Sequence, residues 1–165
     1  MQVSVRIRRL TAATLVCASL VLGLSMLIGA SHASAGPASN KHTCSAADKQ
    51  FLQTVQSNMT QLGYWSDSLL SGDATPSVVI KQTNSESRQI GATSPTDISL
   101  LTARSLLRKM FLEYGSAVRA KALGNAPGKH VQMAYTLANG VHDLLVGAQP
   151  VMATMGCDVT PLLNA

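Results

Sequence analysis

Two cysteines, Cys44 and Cys157, stand 113 residues apart and bracket most of the chain. A third, Cys17, sits inside an apolar N-terminal run. If that run is removed on export, an even pair remains in an oxidising compartment, where pairing is the default state. Redox pairs favour Cys-x-x-Cys spacing and metal sites need further ligands, and neither pattern is present. The pair therefore reads as a structural disulfide, and any fold must bring the two ends of this long loop together. Closing such a loop removes denatured-state entropy equivalent to about 4–5 kcal/mol.

The export reading rests on the order of residues at the N-terminus. Arg6, Arg8 and Arg9 form a basic segment, an uncharged stretch rich in Leu, Val and Ala runs over 10–30, and Ala33-Ser34-Ala35 supplies a small-x-small cleavage signature. This is the order of a secretory signal peptide, with cleavage expected after Ala35. An apolar run of about 20 residues is also long enough to span a bilayer, so a retained anchor is the rival reading. Cleavage would leave no transmembrane segment and a secreted or extracytoplasmic protein. The expected organisation is a signal peptide over 1–35, a flexible mature N-terminus over 36–43, a disulfide-closed helical domain over 44–158, and a C-terminal tail over 159–165.

Removing the leader changes the electrostatics. The whole chain carries 13 Lys and Arg against 8 Asp and Glu, a net +5. The portion after Ala35 keeps ten cations and eight anions, a net +2. That balance, together with only 4% aromatic residues, argues against a nucleic-acid binder built on charge and base stacking.

Apolar spacing beyond Ala46 is helical throughout, and no segment shows strand alternation. Leu52, Val55, Met59, Leu62 and Leu69 form one stripe, ended by Gly72-Asp73. Thr75-Pro76 starts a second helix to about 91, short and polar, with Thr75 as N-cap. Ser94-Pro95-Thr96-Asp97 starts a third, to about Leu123, with Leu100, Leu107, Phe111, Tyr114 and Val118 in line. A turn over 124–128 precedes a fourth from Lys129 to Met155, striped by Ala134, Leu137, Val141, Leu144, Ala148, Val151 and Met155 and kinked at Pro150. The predicted architecture is all-α, an up-down-up-down four-helix bundle. In that topology the start of the first helix and the end of the fourth lie at the same end, where Cys44 and Cys157 stand.

No nucleophile elbow, metalloprotease helix, phosphate loop or paired carboxylates are present. The expected function is accordingly a non-catalytic binding or interaction module in the extracellular or envelope space. It would engage an apolar small molecule or an envelope protein, with no metal and no required cofactor. Met59, Met110, Met133, Met152 and Met155 are the candidate lining of an apolar-ligand site, because Met adapts to irregular cavities. Met59 and His142 lie at matching heights on antiparallel helices, which makes b-type haem, with these as axial ligands, the alternative. An enzyme of undetected type is a second alternative. Arg104, Arg108 and Arg119 share one flank of the third helix and could contact an anionic surface. Leu101, Leu106 and Leu112 lie off that helix's main stripe, which suggests burial on two sides and a possible homodimer. Asn58-Met59-Thr60 matches the N-glycosylation sequon but falls within a helix on its core side, and is read as chance.

Overall fold

A computed structural model describes residues 43–164. The predicted leader with Cys17, and residues 36–42 of the predicted flexible segment, lie outside the described residues. Among the described residues the chain is 81% helix, with no strand. The elements are α1 (Ala46–Ser71), α2 (Pro76–Ala92), α3 (Ile98–Ala122), α4 (Gly128–Thr154) and a single turn, α5 (Thr160–Leu163).

Local chemistry accounts for most of the boundaries. Ser45 caps α1 in a reciprocal box: its hydroxyl accepts the Asp48 N–H, and the Asp48 carboxylate accepts the Ser45 N–H. Gly72, at φ +86°, ends α1 in a left-handed conformation that other residues adopt only at a cost. Pro76 opens α2, where a missing N–H is harmless, although the Thr75 hydroxyl does not cap it and lies 3.0 Å from Ser77 Oγ instead. Asp97 caps α3, accepting the N–H groups of Ser99 and Leu100. α4 runs through Pro150 without interruption.

α3 is the central element, packed against α2 on one side and α4 on the other. α1 lies on α2, and α5 bridges α1 and α4. The core is formed by Phe51 and Val55 of α1, Ile90 of α2, Leu100, Leu107 and Phe111 of α3, and Leu145 and Met152 of α4. Leu106, far round α3 from its main stripe, packs where α4 offers Gly140. Of the three leucines off the main stripe of α3, Leu106 is thus packed against α4, whereas Leu101 and Leu112 stay exposed. No helix of the described residues is long and apolar enough to cross a membrane.

Three details differ from the sequence reading. The stripe of α4 follows Val141, Leu145 and Met152, while Val151 is 62% exposed. Steps of seven residues drift by about 20° on a 3.6-residue helix, so the inward position passes from 144 and 151 to 145 and 152. In α1 it is Asn58, not Met59, that is fully buried. Finally, the segment expected to be a tail from 159 folds back as α5, with Val159 buried in the core.

The Cys44–Cys157 disulfide is present, with the two Cα atoms 5.1 Å apart. Beside it the Cys44 N–H donates to the Met155 carbonyl at 2.7 Å. One turn further on, Asp48 joins α1 to the α2–α3 loop. Its carboxylate accepts the Ser45 hydroxyl at 2.6 Å, the Thr96 hydroxyl at 2.9 Å, and the N–H groups of Thr96 at 2.7 Å and Asp97 at 3.1 Å. Burial alone would raise its pKa, but these donors outweigh burial and hold it near 2.

α2 and α3 approach closely at Gly115, where a Cβ would lie 2.6 Å from Thr83 Oγ1. Thr83 is fully buried and cannot move aside. Gly115→Ala is therefore expected to destabilise the domain by about 1–3 kcal/mol, and adding Thr83→Ala should restore much of the loss. Gly91→Ala meets only the flexible, exposed Arg108 side chain and should be much milder. Urea melts of the three variants against wild type check this. Equal losses at positions 91 and 115 would refute the close-approach argument.

Candidate interaction surface

The contacts between α2 and α3 fix which way their remaining side chains point. The Ser87 hydroxyl donates to the Arg108 carbonyl at 3.1 Å, Thr83 faces Gly115, and Gly91 faces the Arg108 side chain. Each residue advances about 100° round a helix. Arg88, one step beyond Ser87, therefore emerges on the same outer side as Leu101, Arg108, Leu112 and Arg119 of α3. All five are exposed, Leu101 at 36% and Leu112 at 46%.

This face is one-signed. Seven of the nine described Lys and Arg residues belong to α2 and α3. The two acids within those helices are directed elsewhere: Glu86 is buried, and Glu113 pairs across to His130 Nδ1 of α4 at 2.7 Å. The exposed acids Asp67, Asp73, Asp143 and Asp158 lie on α1, α4 and the loops. Among the described residues Arg88, Arg108 and Arg119 make no ion pair. Arg104, grouped with Arg108 and Arg119 by sequence, has a different task. Its guanidinium donates to the carbonyl of Thr93, the C-cap residue of α2, and ties the α2–α3 loop to α3.

The methionines do not gather at one opening. Met110 and Met152 are core residues, Met59 and Met155 pack against the core while partly exposed, and Met133 is 44% exposed. His142 is about one-third exposed, with Nδ1 3.6 Å from Asp143 Oδ1. An open groove of about 270 Å³ lies between α1 and the α5 turn near the disulfide. It is lined by Leu52, Leu162 and Pro161 with Lys49, Gln53 and Asp158 among the polar groups, and by none of the five methionines. Asn58, the acceptor residue of the apparent sequon, is 1% exposed, and its side-chain amide donates to the Glu86 carbonyl at 3.3 Å.

Sequence reading missed Glu86. It lies on the inward side of α2 with Val79, Thr83, Ser87 and Ile90, 1% exposed, and neither carboxylate oxygen has a hydrogen-bond partner. Burial raises its pKa from 4.5 to about 7. The sequence reads α2 only as short and polar, which singles out none of its residues. The detectable signal was the spacing, since 79, 83, 86 and 90 fall on one helical stripe.

No family model, curated protein or solved structure matches this chain.

Proposed function

We propose that the chain is an exported interaction module, a disulfide-closed bundle of four long helices released after Ala35, that acts by docking rather than catalysis. Its partner is an anionic membrane surface, met by the outer face of α2 and α3. The observation that carries this reading is the segregation of charge on a nearly neutral domain: Arg88, Arg108 and Arg119 lie exposed and without ion pairs beside Leu101 and Leu112. Arginines can meet phosphate headgroups bidentately, and two leucines between them suit the apolar layer just beneath. A carrier of an apolar molecule or of haem has less support, since the groove beside the disulfide engages neither the methionines nor His142.

The test is co-sedimentation with vesicles of phosphatidylglycerol and phosphatidylcholine, against phosphatidylcholine alone. Binding should require the anionic lipid and weaken as salt rises from about 0.1 M to 1 M, where the screening length falls from about 10 Å to about 3 Å. Each cation near such a surface contributes about 1 kcal/mol, so Arg88→Gln/Arg108→Gln/Arg119→Gln should lose roughly 100-fold in affinity. Absence of binding at low salt, or equal binding to both vesicle types, would sink the proposal.

A further inference from the structure

The buried carboxyl of Glu86 has no task in surface docking, and its surroundings give it none in stability. It lies where α1 seats on α2. The polar groups around it are already engaged: Asn58 of α1 donates to the Glu86 backbone carbonyl, Thr83 to the Ile80 carbonyl, and Ser87 to the Arg108 carbonyl. The titratable group that α3 turns toward α1 is Tyr114, whose hydroxyl lies 2.7 Å from Ser66 Oγ. The shift of Glu86 has burial as its cause. A carboxyl in such a place must either keep its proton or, once ionised, admit water.

The attachment of α1 is uneven. Its N-terminal end is pinned by the disulfide, by the Cys44–Met155 hydrogen bond and by the donors that converge on Asp48. Beyond that end the side-chain hydrogen bonds linking α1 to α2 and α3 are those of Asn58, at 3.3 Å, and Ser66. We infer that Glu86 is a proton-operated latch: the α1–α2 seam is closed while the carboxyl holds its proton, and loosens beyond the pinned end of α1 when the proton leaves to solvent. No covalent change is involved.

The sign follows from the two protonation states. In the closed state Glu86 binds its proton up to about pH 7, and in the open state it reverts to an ordinary carboxyl near 4.5. Closure is therefore fully favoured below 4.5, is progressively lost as pH rises to 7, and changes no further above that.

The test uses the full domain with its disulfide intact. Carboxyl-carbon NMR should show one glutamate, absent from the Glu86→Gln spectrum, titrating near 7. Protection factors of α1 amides from Asn58 to Ser66 should fall by up to about tenfold per pH unit between pH 5 and 7, while α3 and α4 amides keep theirs. In Glu86→Gln the α1 protection should become independent of pH over that range. A Glu86 titration near 4.5, or loss of protection in all helices together, would overturn the inference. So would an unchanged pH response in Glu86→Gln. Vesicle binding enters none of these readouts.

Discussion

Replacing both Cys44 and Cys157 with Ser is expected to lower the unfolding free energy by about 4–5 kcal/mol, the entropy released when a loop of this length is opened in the denatured chain. The bridge joins residues 113 apart, so almost every described residue lies inside the loop. Domains of this size are stable by roughly 5–15 kcal/mol in total, so the reduced form should sit near the edge of folding. The Cys44–Met155 hydrogen bond and the burial of Val159 remain available without the covalent link, and they favour the same helical content at low temperature. The check is urea unfolding of the oxidised protein and the double variant, with the slope expected to rise as the unlinked chain exposes more surface. A difference below about 1 kcal/mol would contradict the entropic account, given the loop length.

Asp48→Ala should have the next largest effect on stability, about 3 kcal/mol. Two contributions add. Holding the folded pKa near 2 rather than 3.8 corresponds to roughly 2 kcal/mol at neutral pH. Losing the acceptor also leaves the Thr96 and Asp97 N–H groups poorly matched, at a further cost of order 1 kcal/mol. The pH window is set by the direction of the shift. A lowered folded pKa stabilises above 3.8, and that stability disappears as pH falls from about 3.8 through 2. The gap between wild type and variant should therefore narrow in acid to the order of 1 kcal/mol left by the unmatched N–H groups and open between about pH 2 and 4, below the window in which Glu86 acts. Thermal melts at matched pH values measure this. A gap between the two proteins that stays constant from pH 2 to pH 6 would show that Asp48 contributes packing and not charge.

The course of the helices was readable because local signals determine it. Gly72, Pro76, Asp97 and the 124–128 turn each fix an end through backbone chemistry that needs no tertiary partner. The disulfide followed from cysteine number and position. What could not be read is what two helices do to each other. Asp48 looks like an ordinary capping residue until the α2–α3 loop is brought over it. Glu86 looks solvated until α1 covers it, and Arg104 looks like a member of a basic patch until its guanidinium meets the Thr93 carbonyl. The proposed docking face was legible by half. The α3 wheel groups Arg108 with Arg119, but only the Ser87–Arg108 and Thr83–Gly115 contacts bring Arg88 of α2 alongside them.

The bridge near the two ends of the folded domain also makes its covalent skeleton a closed ring from Cys44 to Cys157. Cutting a ring once does not divide it. A protease that severs the exposed turn at 72–73, or the one at 123–126, leaves two fragments still joined through sulfur, each held by its own share of the core. For such a ring one nick is survivable, and two are needed to release a piece.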